Sequence, residues 1–285
     1  MNALMMSTLI ILVLAGLTCA NIGTFVVLRN QSMITDALSH TVLLGIVIAF
    51  LIVPNMDSPL LQVGAALVGV LTVYLIEWII QKTTVQNDAA TGLVFTFLFS
   101  VAVIILSKYM RNVHLDVDCV LMGDIIFAPL NTQEFLGMVV PKSIVSTGTL
   151  FIVDIIFIAL FWKELKISIF DPGFAKTAGI KYGLLNFAFM FLVSLTTVIN
   201  FTIVGSILVI SFFVAPAMTA QLFTKTIKSM YLWTLAIATL NCTIGFFVAT
   251  ALNVSMAGMC ATVAFFTFGL CFVAKRWLKY KRFTA

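Results

Sequence analysis

The chain has 285 residues, of which 62% are hydrophobic and only 9% charged, with a mean hydropathy of +1.16. Its 16 basic and 11 acidic side chains leave a net charge of +5, far too few to coat a soluble domain, where about a quarter of residues are charged. The composition excludes a soluble protein and identifies a polytopic membrane protein. The densest basic cluster, the tail Lys275-Arg276-Trp277-Leu278-Lys279-Tyr280-Lys281-Arg282, reads as a cytoplasmic anchor and not as a nucleic-acid patch.

A membrane span needs roughly 20 apolar residues. By that rule the chain is an all-α transmembrane bundle with about nine candidate spans, at 4–28, 33–53, 60–81, 90–108, 143–162, 183–200, 203–223, 229–251 and 256–274. No basic residue precedes Arg29, so the first run lacks the charged n-region of a cleaved signal peptide and is expected to stay as a span. The runs 183–200 and 203–223 are nearly continuous and divisible at Asn200-Phe201-Thr202. They are two spans, or one span plus a broken or re-entrant piece, so the count is eight or nine. Basic residues put the tail, Lys225/Lys228, the 163–182 loop, Lys82 and Arg29 inside, while the loops 54–59 and 251–255 carry no Lys or Arg.

The most informative stretch joins the first two spans: Arg29-Asn30-Gln31-Ser32-Met33-Ile34-Thr35-Asp36-Ala37-Leu38-Ser39-His40. Asp36 and His40 are four apart, which places both side chains on one helix face, one turn from each other. A carboxylate and an imidazole together make half of a site for a borderline divalent cation. Ionisable groups entering a membrane helix are functional candidates. Two plainer readings stay open: Asp36 as a residue favoured by the helix dipole, and His40 as a packed polar group.

Farther along, Glu77 is expected to snorkel or to pair with Lys82. The segment 109–142 is the longest stretch without a helical pattern. In it His114, Asp116 and Asp118 alternate, which aligns them on one side of an extended chain as a possible metal-attracting cluster at the mouth. The competing reading is a solvated loop with local Asp capping. Asp154 lies mid-span and must face a partner within the protein. Asp171-Pro172 is a helix start, N-cap followed by proline at N1, and Gly179 is a stop. These bound a helix of about two turns, carrying the small residues Ala175, Ala178 and Gly179, with the character of a docking element. Asn200 and Asn241 are expected to hydrogen-bond between helices. The five cysteines, Cys19, Cys119, Cys242, Cys260 and Cys271, form no CxxC and read as small apolar fillers.

Five segments in order carry a family resemblance: Leu28-Arg29 through Ser39-His40; Asn87-Asp88-Ala89-Ala90-Thr91-Gly92-Leu93-Val94-Phe95-Thr96; Leu115-Asp116 through Met122-Gly123-Asp124-Ile125; Asp171-Pro172 to Gly179; and Val204-Gly205-Ser206-Ile207-Leu208-Val209 through Ala215-Pro216-Ala217-Met218-Thr219-Ala220. Over nearly its whole length the chain resembles the ABC-3 permeases of metal importers, most closely the manganese permeases of Gram-positive bacteria. One departure is Thr35, where many relatives carry glycine. The resemblance implies a single permease domain over 1–285 in the bacterial cell membrane, working as a homodimer. It implies a cytoplasmic ATPase partner and an extracellular metal-binding lipoprotein. It places the transported metal, manganese with zinc or iron next, at Asp36 and His40, and makes Asp171, Pro172, Ala175 and Gly179 part of a coupling helix. It implies no permanently bound cofactor.

No Gly-x-x-x-x-Gly-Lys-Ser/Thr string occurs in the chain, so it is expected to be no enzyme, with ATP handled by another polypeptide. The alternative class is an ion- or proton-coupled secondary transporter relaying through Asp36, His40 and Asp154. That reading predicts inverted repeats, and none is visible. A third, an intramembrane hydrolase built on Asp36 and His40, lacks a nucleophile or second acid at a recognisable spacing.

Overall fold

The computed structural model describes residues 3–54, 58–109, 125–135 and 138–284. In chain order these form α1 (Ala3–Leu28), α2 (Met33–Ile52), α3 (Pro59–Lys82) and α4 (Asn87–Tyr109). A short 3-10 turn (Ala128–Leu130) and an antiparallel hairpin, β1 (Thr132–Phe135) with β2 (Met138–Pro141), follow. The chain then runs through α5 (Lys142–Leu160), α6 (Trp162–Phe170), α7 (Pro172–Thr177), α8 (Tyr182–Val204), α9 (Ser206–Gln221), α10 (Ile227–Leu252) and α11 (Met256–Thr284). Helices dominate because each backbone N–H and C=O is satisfied inside its own segment, the condition for crossing lipid. Large apolar side chains such as Leu67, Leu93, Leu160 and Leu270 remain exposed on these helices. That is the surface expected of helices apolar on all sides and solvated by acyl chains.

Among the described residues, eight helices are long and apolar enough to span a membrane. The piece that falls short is α9, whose 16 residues extend roughly 24 Å against a hydrocarbon core of about 30 Å. The helix break preceding it also differs from the expected one. Asn200-Phe201-Thr202 stays helical, and the Asn200 side-chain amide donates to the Thr196 carbonyl one turn back at 2.8 Å. The chain breaks instead at Gly205, whose φ of 83° lies in a region that residues with a Cβ rarely adopt.

The chain divides into two compact units. One holds α1, the hairpin, α5 as far as Asp154, and α9 to α11. Within it α1 packs on α9 and α10 around Val27, Ala217, Ala220, Met230 and Ile237. Asn241 bridges helices as expected, accepting from the Thr267 hydroxyl at 2.9 Å.

The other unit holds α2, α3, α4, the end of α5, and α6 to α8. Here α2 packs on α3 and α4 around Leu43, Val47, Val68, Ile76, Val94 and Leu98. Lipid tails are as apolar as these side chains, so close approach of backbones must supply much of the attraction. The α2–α3 crossing shows how. A Cβ on Gly45 would collide with the Gly64 carbonyl, and one on Gly64 would sit 2.7 Å from the Gly45 carbonyl oxygen. The crossing is pinned by a hydrogen bond from Thr72 to Thr41, 3.0 Å between hydroxyl oxygens. Gly45→Ala should destabilise the protein by about 1–3 kcal/mol through overpacking. Gly92→Ala, whose Cβ would meet nothing within 4 Å, should be neutral or stabilising by up to about 1 kcal/mol. Thermal unfolding of the two variants in detergent checks this contrast.

Candidate functional site

The site is built from the start of α2. Asn30, at φ 55°, turns the chain after α1, and Met33 opens the next helix. The hydroxyl of Thr35, fully buried, donates to the Ser32 carbonyl at 2.9 Å, and that of Ser39 to the Asp36 carbonyl at 2.7 Å. These polar side chains are thereby consumed by their own helix. Ile34, Thr35, Ala37, Leu38, Ser39 and Thr41 are buried, and within this stretch only Met33, Asp36 and His40 keep accessible surface. At about 100° per residue those three positions share an arc of roughly 60°. The first two turns of α2 therefore present one open stripe, and both ionisable groups lie on it.

Asp36 Oδ1 and His40 Nε2 are 3.5 Å apart, with the two side chains 33% and 36% exposed. That separation lies outside the about 2.7–3.2 Å of a hydrogen bond, so neither group satisfies the other. It does suit a shared cation. With both donors at about 2.1 Å from an ion, a 3.5 Å separation subtends roughly 110° at the metal, near the tetrahedral angle. Along the axis Asp36 lies about 5 Å and His40 about 11 Å from Met33. The imidazole also has aromatic neighbours absent from the sequence reading. The Phe95 and Phe99 rings of α4 both have centroids 5.7 Å from it.

The other candidates separate clearly. His114, Asp116 and Asp118 lie outside the described residues. Asp154 is fully buried, as a mid-span carboxylate must be, and sits within electrostatic range of Cys19 and Tyr231. The Tyr231 hydroxyl in turn donates to Asn21 Oδ1 at 2.5 Å. Glu77 accepts a hydrogen bond from the Asn186 amide of α8, a partner that sequence spacing does not reveal. Cys19, Cys242 and Cys260 are buried free thiols.

The segment after α5 contains more helix than expected. Residues 162–170 form α6 before the anticipated start. Asp171 then caps α7, its Oδ1 accepting from the Phe174 N–H at 2.8 Å, with Pro172 at N1. Gly179, at φ 79°, ends the segment, and the Ile180 N–H reaches the Ala175 carbonyl at 3.1 Å, the longer bond of a Schellman motif. Both sequence signals act where they were read. Ala175, however, is fully buried while Phe174 is 57% exposed. The small residue packs inward, and the aromatic one is presented outward with Gly173, Thr177, Ala178 and Gly179.

A bundle of apolar helices with an open carboxylate–imidazole stripe and a capped short helix has the make-up of a transport permease. The chain belongs to the ABC 3 transport family, whose model matches residues 1–275, and it is a multi-pass permease of that family. It is 41% identical over 92% of its length to the manganese transport system membrane protein MntD of Bacillus subtilis, covering 88% of that protein. It is 39% identical over 94% of its length to the zinc transport system membrane protein TroD of Treponema pallidum, covering 73% of it. Among solved structures, PsaBC from Streptococcus pneumoniae in complex with Fab shares its fold, with a TM-score of 0.77 at 24% identity over 98% of this chain and 95% of that one.

Asp171→Ala should remove the cap and loosen α7 by about 1 kcal/mol, whereas Asp171→Asn should retain most of it. Hydrogen–deuterium exchange should speed up across 173–178 in the alanine variant only.

Proposed function

We propose that this permease carries a divalent transition metal, manganese first and zinc second, inward across the bacterial plasma membrane, with Asp36 and His40 as its transient ligands. The observation that carries the reading is the 3.5 Å separation of Asp36 Oδ1 and His40 Nε2 on an accessible stripe of a buried helix. A mixed oxygen and nitrogen donor set suits manganese, iron or zinc better than calcium or copper(I). The manganese and zinc systems named among its relatives support the same cargo class.

One carboxylate and one imidazole bind an ion weakly, which suits a passage that must also release it. Two copies of the chain facing each other across a twofold axis would double the set to two carboxylates and two imidazoles. The whole chain acts as one permease domain in this reading, receiving metal from an extracellular binding lipoprotein. It has no phosphate-cradling motif, so a separate cytoplasmic ATPase drives the cycle. Membership of an ABC family supports that over gradient coupling. The ATPase docks on the segment Asp171–Gly179, where Phe174 is the exposed aromatic anchor and buried Ala175 ties the helix to the permease.

Asp36→Ala and His40→Ala should each lower metal uptake by more than the about 10–100-fold that outer-shell partners of a metal contribute, with membrane insertion and ATPase association retained. Wild-type uptake of manganese by either variant removes the site assignment. Phe174→Ala should insert normally but recover less ATPase on co-purification. Undiminished recovery together with unchanged transport would sink the docking role.

A further inference from the structure

Two rings of α4 meet His40 from different directions. The Phe95 ring is stacked on the imidazole, 27° from parallel, and the Phe99 ring is turned edge-on at 71°, each with its centroid 5.7 Å away. Phe95 and Phe99 are four apart, so they project from one face of α4 on successive turns. Helix α4 itself packs against α2. A single stacked ring restrains the tilt of an imidazole but lets it slide and spin in its own plane. A second ring set across the first blocks that rotation, and aromatic pairs favour both arrangements.

The consequence concerns which atom reaches the carboxylate. Asp36 and His40 do not hydrogen-bond, since 3.5 Å between Nε2 and Oδ1 is too long. No hydrogen bond within the pair therefore fixes the ring with Nε2 toward Asp36. Among the described contacts of His40, the aromatic rings are what orient it. We infer that Phe95 and Phe99 are positioning residues, a two-ring clamp that presents His40 Nε2 beside Asp36 Oδ1 so that one divalent cation meets both donors. The clamp touches the imidazole and not the ion. It preorganises a weak two-donor site without adding a third ligand, which keeps release possible.

This rests on Asp36 and His40 being the cargo ligands, and the experiment keeps the two apart. Manganese is titrated into the full-length purified chain, and binding is followed by loss of the paramagnetic resonance signal of the aqueous ion. His40→Ala should abolish the site. Phe95→Leu and Phe99→Leu should each raise Kd by about three- to tenfold, the scale of an aromatic pair. Phe95→Tyr and Phe99→Tyr, which keep the ring, should restore it. Phe97→Leu, an exposed neighbour, should leave Kd alone. Thermal unfolding run in parallel separates positioning from folding. If His40→Ala abolishes binding while both leucine variants bind as wild type, or if tyrosine fails to rescue, the clamp is overturned and the ligand assignment stands. If His40→Ala binds as wild type, the ligand assignment falls, and the clamp with it.

Discussion

Two donor atoms 3.5 Å apart on one face of α2 set the terms for the rest of the molecule. The spacing is too long for the groups to satisfy each other and short enough for both to reach one ion. Such a pair is worth little unless its helix is held still. Three features hold it. The Gly45–Gly64 notch brings α3 against α2 backbone to backbone. The Thr72–Thr41 hydroxyl bond fixes the rotation of that crossing. On the other flank the rings of Phe95 and Phe99 close on the imidazole. Each of these acts within the same compact unit, so the site is stiffened by its own helices.

Much of this was legible in the sequence, for reasons that lipid makes simple. A span must be about 20 apolar residues long and must satisfy its own backbone, so hydropathy alone places most helix ends within about four residues; the exception is α11, which continues past residue 274 through the basic tail to Thr284. The approach of Asp36 and His40 on one face was visible because i, i+4 spacing has one meaning on a helix. Asp171-Pro172 and Gly179 were visible because capping chemistry is local: a side-chain acceptor, a missing N–H and a left-handed residue each act within one turn.

What escaped was orientation. When every face of a helix is apolar, no pattern tells which residues turn inward. Ala175 therefore looked like a surface residue, though it is buried. Asn200 looked like an interhelical bridge but bonds its own helix, while Asn241 does bridge. The break before α9 falls at Gly205 and not at the polar triplet upstream. Polar side chains in a membrane helix can bond back to the preceding turn and keep it intact, whereas only glycine readily takes φ near +83°. Phe95 and Phe99 sat among 26 phenylalanines, and nothing in sequence distinguishes a ring against an imidazole from a ring against lipid.

Burial separates the membrane acids by role. Asp154 is fully enclosed, within electrostatic range of Cys19 and Tyr231. An ion could reach it only by first displacing packed helices. Glu77 is engaged by Asn186. Asp36 is one-third exposed, has no bond to its neighbour His40, and keeps that imidazole within a shared coordination distance. A transported ion needs donors that it can meet and leave, and among these three acids only Asp36 stands beside a second donor on an open face. The same exposure weakens the hold, since water competes for both groups. A metal site at this pair, as proposed, would for that reason be a low-affinity one. Under the proposed two-ring clamp, Phe95 and Phe99 would fix the imidazole without adding a third ligand, which tightens such a site while leaving release open.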